Sequence, residues 1–353
     1  MNERERALTL DYECLHTMPG GLREVRVWWD PVLENWLVGK RIDLSEVQDG
    51  ADLIEPRVME MIDHPNVVPV RSVATVAGFS APMRVVEVLM PFYERGSISD
   101  AFESGKSFSP TQALRIIQAA LQGLMEMHER YGILHRDVKS PNLFLTGDPR
   151  IVKVGDLGLA GAMDDAGRAP CVKAFHLYSP PELLKGDGLT RSSDLYSLGV
   201  VLRELLAGRF AYEKYTTSDV VDSLVAGRSP LQQQDLALPV WVCRALRKTI
   251  QKATDPDPLR RFQDAREMSA QIANIRLADW QQVEPRVWEA PYLRNPATRI
   301  RVTAQPVRTG FTLITQRRQT TSWRRQGADI TVASLDQPQA LAVFETANSL
   351  ALS

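Results

Sequence analysis

Cysteine is scarce: Cys14, Cys171 and Cys243 are the only three in 353 residues, and they stand far apart. An odd, scattered set offers neither a disulfide framework nor a metal-ligand spacing, which fits a reducing compartment. Long hydrophobic runs are missing too. The longest apolar stretch, around Leu198 to Leu206, is broken by Arg203 and Glu204 and falls short of a membrane span. The opening Met-Asn-Glu-Arg-Glu-Arg has no apolar segment behind it, so no secretory leader and no membrane association are expected, and a cytoplasmic setting is. Charge of one sign is absent overall. A formal net charge of −1 gives no global attraction to nucleic acid or anionic lipid. No internal repeat or low-complexity tract interrupts the chain.

What remains is an ordinary globular composition, 44% hydrophobic and 24% charged, in a chain long enough for one large domain and a small one. The first ninety residues read mostly as strands, at Glu24–Trp29, Trp36–Ile42 and Arg84–Leu89, with helical spacing over Asp52–Ile62 stopped by His64-Pro65-Asn66. After Gly96 the period changes. Ser109-Pro110 is an N-cap followed by a first-turn proline, and Ala113, Ile116, Ile117, Ala120, Leu121 and Leu124 then recur at helical spacing. Further helices are expected at Ser193–Ala207, Ser218–Ala226, Pro239–Ala253 and Phe262–Leu277. Pro285, Pro291 and Pro296 mark a linker. Short strands follow at Arg299–Pro306, Phe311–Gln316, Gln319–Arg324 and Ile330–Ser334, with a closing helix at Gln339–Leu350.

Two motifs carry chemistry. The first is His135-Arg136-Asp137-Val138-Lys139-Ser140-Pro141-Asn142, running into Leu143-Phe144-Leu145. The second is Asp156-Leu157-Gly158, after the apolar run Ile151–Val154. Phosphoryl transfer depends on positioning and charge neutralisation more than on covalent help. It needs a carboxylate to take the hydroxyl proton, a carboxylate and an amide to hold Mg²⁺ on the phosphates, and a cation for the developing charge. Asp137, Asp156, Asn142 and Lys139 are residues of those types in a loop and at a strand end. A polar surface loop is the alternative, and the joint spacing of Lys139, Asn142 and Asp156 weighs against it.

From residue 16 to 280 the chain resembles the eukaryotic-type (Hanks-type) serine/threonine protein kinase family, whose motifs read H-R-D-x-K-x-x-N and D-F-G. The resemblance implies a bilobal α+β fold: a small β-rich N-lobe over 1–93 and a larger helical C-lobe over 94–280. A linker at 281–297 and a small β/α accessory module at 298–353 would follow. It implies ATP and Mg²⁺ as cofactors and a protein substrate. Asp137 carries over as the catalytic base, Asn142 and Asp156 as metal ligands, and Lys139 as a γ-phosphate contact typical of Ser/Thr kinases.

Lys40, in Val38-Gly39-Lys40, aligns with the lysine that binds the α/β-phosphates, and Val25 with the valine after the glycine-rich loop. Glu55 is its expected helix partner, with Glu60 as the alternative. Pro56 directly after Glu55 disfavours helical geometry there. The phosphate-covering loop aligns with Met18–Arg23 and keeps only the middle glycine, Gly20. Met90, Phe92 and Tyr93 align with the adenine edge, and Phe144 lies after the catalytic loop as a further nucleotide contact. Tyr178-Ser179-Pro180-Pro181-Glu182 fits Y-x-A-P-E, which implies a Glu182–Arg261 pair, and Asp194 would cap the catalytic loop.

Between Gly158 and Tyr178 there is no Ser, Thr or Tyr to phosphorylate. Asp164 or Asp165 is therefore expected to partner Arg136, in a kinase that does not depend on activation-loop phosphorylation. Phe175 stands where the family has a threonine that bridges the catalytic Asp and Lys. A nucleotide-binding scaffold without turnover stays the alternative. Beyond residue 285 nine arginines face four acidic residues. That basic stretch reads either as the solvated face of a small sheet or as a surface for an acidic protein partner.

Overall fold

The computed structural model describes residues 12–18, 25–43, 60–80, 83–148 and 150–353. Alternating side chains in the first part build a five-stranded antiparallel sheet from β1 (Glu13–Met18), β2 (Val25–Asp30), β3 (Asn35–Asp43), β4 (Ser72–Thr75) and β5 (Val85–Pro91), in the order β1-β2-β3-β5-β4. The β2–β3 turn is set by Asp30, whose carboxylate accepts from the amides of Val32 at 2.9 Å and Leu33 at 3.0 Å. Register puts Val25 opposite Lys40, Val27 opposite Val38, and Val38 opposite Met90. With a side-chain period of two, these residues share one face. On the other face a Cβ at Gly39 would lie 2.0 Å from Glu87 Oε1. The glycine lets buried Glu87 take the Trp28 indole N–H and the Arg41 guanidinium.

The second lobe is helical. α1 (Ile98–Glu103) and α2 (Pro110–Met125) start at Ser97 and Ser109, each in a capping box with the third residue on. Short pairs β6 (Ile133–Leu134) with β9 (Gly161–Ala162), and β7 (Leu143–Leu145) with β8 (Val152–Val154), carry the two motifs. α3 (Arg191–Ala207) is buried along nearly its whole length, including Asp194, Arg203 and Glu204. α4 (Thr217–Val225), α5 (Arg244–Ala253) and α6 (Ala265–Ala273) complete the lobe. Two helices are shorter than their apolar spacing implied. Residues 239–243 form a turn in which Val242 N–H bonds Pro239 O, and Asp264 caps α6 through the Glu267 amide.

The expected linker at 281–297 is corrected by the structure. β10 (Gln281–Glu284) and β11 (Val287–Pro291) join β12 (Arg299–Val307), β13 (Gly310–Arg318), β14 (Trp323–Arg325) and β15 (Ile330–Val332) in one six-stranded sheet. The prolines punctuate rather than abolish strands: Pro285 sits in the β10–β11 turn, Pro291 ends β11, and Pro296 lies in the turn before β12. The strand expected at Gln319–Arg324 begins only at Trp323.

α7 (Pro338–Leu352) covers the sheet, with Phe344 edge-on to Trp280 and Trp288 at 5.3 Å each. The helix also ties the sheet to the helical lobe. Asn348 bonds the Ala278 amide and the Arg276 carbonyl, and Glu345 accepts from the Arg244 amide at the start of α5. Among the described residues no helix is long and apolar enough to cross a membrane.

Candidate active site

The loop after β6 is anchored from below. Asp194, in the first turn of α3 and 2% exposed, accepts the amides of His135 and Arg136 and the His128 ring N–H at 2.8 Å each. Burial works against ionisation of Asp194, yet the hydrogen bond and charge of His128 hold its carboxyl below the usual range. Arg136 sits at φ 62°, a left-handed conformation that costs a non-glycine residue about 1–2 kcal/mol and persists because these bonds fix the loop. His135 Nε2 bonds Gly155 O at 3.0 Å, which links this loop to the strand leading into Asp156.

Asp137 lies at the loop's centre, 4% exposed. Its Oδ2 takes Lys139 Nζ at 2.8 Å and Asn142 Nδ2 at 2.9 Å, and its Oδ1 takes His176 Nε2 at 2.8 Å. Burial alone would raise its pKa; the His176 bond and the Lys139 charge outweigh it and bring the value down to about 2. Asp137 is therefore an ionised acceptor. Asp156 follows β8 at φ 57° and receives Lys40 Nζ at 2.5 Å, with Leu157 buried behind it. Its carboxyl too lies below the usual range, since the Lys40 charge overcomes the opposing effect of burial.

Between the lobes is a cleft of about 520 Å³. Val25, Val38, Met90, Phe92, Tyr93 and Phe144 supply its apolar wall, and Lys40, Asn142 and Asp156 its polar end. The volume and the mix of walls suit a small-molecule ligand. Tyr93 stacks on Phe144 at 5.8 Å, and burial pushes its hydroxyl up to about 12. Asn142 belongs to both centres: it lines the cleft and holds Asp137. Of the anticipated residues, Lys40, Val25, Val38, Met90, Phe92, Tyr93, Phe144, Asn142 and Asp156 thus meet at one cavity; Asp137 and Lys139 do not line it and connect to it through the Asp137–Asn142 bond. Gly20 and Glu55, with Pro56, lie outside the described residues. Glu60, the alternative to Glu55, is helical and exposed.

Arg136 overturns one expectation. Its guanidinium donates to the carbonyls of Leu159 at 2.6 Å, Ala160 at 2.8 Å and Pro170 at 2.7 Å. Asp164 is turned elsewhere and accepts from the amides of Ala166 and Arg168 at 2.9 Å each. Gly161 makes the carbonyl arrangement feasible, because a Cβ there would come within 2.4 Å of the guanidinium carbon. Further along, Glu182 and Arg261 form a two-pronged pair at 2.8 Å, and Tyr178 donates to buried Glu204 at 2.6 Å. His176 was not anticipated. The replacement at Phe175 was the one sequence signal that the neighbourhood of Asp137 had changed.

A family model described as protein kinase domain matches residues 33–271. The serine/threonine-protein kinase PknA of Corynebacterium glutamicum is 30% identical over 262 residues, covering 71% of this chain and 53% of that protein. The serine/threonine-protein kinase drp72 of Corynebacterium efficiens is 33% identical over 231 residues, 64% of this chain and 42% of its own length. PrkC of Bacillus subtilis is 26% identical over 278 residues, 76% and 41% respectively. The chain spans about half the length of these relatives or less.

Proposed function

The chain belongs to the Hanks-type serine/threonine protein kinase family, and we propose that it transfers the γ-phosphoryl group of ATP to a hydroxyl of a protein substrate. The observation that carries this reading is the meeting of Lys40, Asp156 and Asn142 at one end of an apolar cleft, with Asp137 bonded to Asn142 and Lys139 to Asp137. In the proposed reaction the purine lies among Val25, Val38, Met90 and Phe144. Lys40 reaches the α/β-phosphates from its place beside Asp156. Asp137, already ionised, accepts the proton as the substrate oxygen bonds phosphorus and ADP departs. Lys139, 2.8 Å from Asp137, stabilises the charge on the transferring group.

Asp156 and Asn142 are the donors that would hold Mg²⁺. The Asn142 amide nitrogen is committed to Asp137, which leaves its oxygen as the ligand. One carboxylate and one amide suffice, since Mg²⁺ in such sites takes most of its ligands from phosphates and water. When bound, the ion neutralises charge on the phosphate oxygens. The same reading makes activity independent of activation-segment phosphorylation. No hydroxyl lies between Gly158 and Tyr178, and carbonyls hold Arg136 where a phosphate would. The odd number and wide scatter of the cysteines suit a cytoplasmic setting.

The loss of two glycines around Gly20 favours a second reading, a nucleotide-binding scaffold. Purified chain, Mg²⁺, labelled ATP and a generic protein acceptor separate the two. The wild type is expected to transfer label, and Asp137→Asn to lose on the order of a hundredfold or more in rate. Label bound but never transferred by the wild type would establish the scaffold.

A further inference from the structure

We propose that His176 is the positioning residue for the Asp137 carboxylate, doing from the activation segment what the family's threonine does where this chain carries Phe175. The inference rests on the kinase reading above. Asp137 Oδ2 is gripped by Lys139 and Asn142, and among the described residues Oδ1 receives only His176, at 2.8 Å. A carboxylate torsion is broad and roughly two-fold, so a group held through one oxygen still swings, while one held through both is fixed. Lys139 and Asn142 occupy both lone pairs of Oδ2, so it is Oδ1 that keeps a second lone pair for the incoming hydroxyl.

The histidine is itself held. An ionised carboxylate only accepts, so Nε2 carries the hydrogen. On the far side of the ring Nδ1 lies 3.3 Å from Ser179 Oγ, which also accepts the His176 amide at 3.0 Å and donates to Ala174 O at 3.0 Å. The ring packs edge-on to Tyr178 at 5.8 Å. Tyr178 in turn shares Glu204 Oε2 with Ser140 of the catalytic loop. Two stitches, His176 to Asp137 and Tyr178 through Glu204 to Ser140, therefore join the activation segment to the loop with no phosphate. The His176 side chain is 22% exposed, so water can enter the space that its removal leaves.

The test uses the full chain as wild type, H176A, H176Q and the double variant F175T/H176A. For each, kcat, KM for ATP and melting temperature are measured with Mg²⁺ and a protein acceptor. H176A is expected to lose about ten- to a hundredfold in kcat with KM for ATP within about twofold. H176Q, whose amide can donate to Oδ1, and F175T/H176A should regain most of that loss. A kcat for H176A within about twofold of wild type would overturn the assignment. So would equal losses in H176A and H176Q accompanied by a lowered melting temperature, the mark of a structural role alone. If the wild type transfers no label, the kinase reading falls first and this assignment with it.

Discussion

Two regions of the molecule set arginines beside a carboxylate in opposite surroundings. In the helical lobe Arg261 is 2% exposed and meets Glu182 with two nitrogens at 2.8 Å, its other donors on the carbonyls of Asp255 and Pro256 and its face on Tyr196. In the C-terminal sheet Glu289 takes Arg299 and Arg301 at 2.9 Å each, but the arginine side chains are 26% and 27% exposed. The two carboxylates are equally buried, at 7% each, so the difference lies in the arginines: water can replace a lost partner of Arg299 or Arg301 and cannot replace one of Arg261. The first pair is architecture, fixing the Y-x-P-P-E segment to the base of the lobe; the second belongs to a wetted face. Arg325 also pairs, with Asp329 at 3.1 Å, so part of the tail's basic excess is already answered within the chain. An acidic protein partner for that face remains a proposal resting on the arginines left over.

The sharpest break in this comparison is Arg261→Ala. It strands the Glu182 carboxylate among buried groups, which costs about 3–5 kcal/mol. Urea unfolding should show a loss of that size, unchanged by added salt. Arg261→Met paired with Glu182→Leu should recover much of it, because removing both charges also removes their desolvation. A single variant as stable as the wild type would mean that the pair is not structural.

The same contrast explains what could be read in advance. Asp137, Asn142 and Asp156 were legible because phosphoryl-transfer chemistry restricts residue type and spacing together, and Val25, Val38 and Lys40 followed from the family resemblance. The Glu182–Arg261 pair, 79 residues apart, was accessible only through family resemblance. His176 was not legible. Its partner is 39 residues away, and the contact depends on a turn held by Ser179. The carbonyl cradle of Arg136 escaped notice because main-chain acceptors carry no residue signature. The residues at 281–297 misled for a related reason: three prolines look like a linker until pairing with β12 shows each at a turn or strand end. In the sheet, where water tolerates many residue types, only apolar alternation was informative.

Asp137 belongs with the buried class, and its titration offers the next test. Its folded pKa of about 2 lies below the ordinary 3.8, so its pairing stabilises the fold fully above about pH 4 and is lost as pH falls through 2. The shift corresponds to roughly 2 kcal/mol, lessened by whatever freedom the His176 side retains. Asp137→Asn removes that titration. The stability gap between wild type and variant should therefore narrow as urea unfolding is carried from pH 5 towards pH 2. A gap that stays constant over this range would show that Asp137 gains nothing from its cationic neighbours.

The smallest effect is expected in the sheet, where it probes the comparison most closely. Burial would raise the Glu289 pKa, but the bonds from Arg301 and Arg299 hold it below the usual range. Its contribution is thus present above the ordinary carboxylate pKa and fades in acid. Both arginines reach water and Arg301 also lies over Trp323 at 4.0 Å, so Glu289→Gln leaves them solvated and stacked. The cost should be about 1 kcal/mol or less at low salt and should shrink towards zero by about 0.5 M, because partly exposed charges are screened at that strength. Arg261→Ala has no such salt dependence. If Glu289→Gln instead cost as much as Arg261→Ala and ignored salt, the sheet's outer face would be a buried framework too. The arginines left over would then be the wrong place to seek a partner.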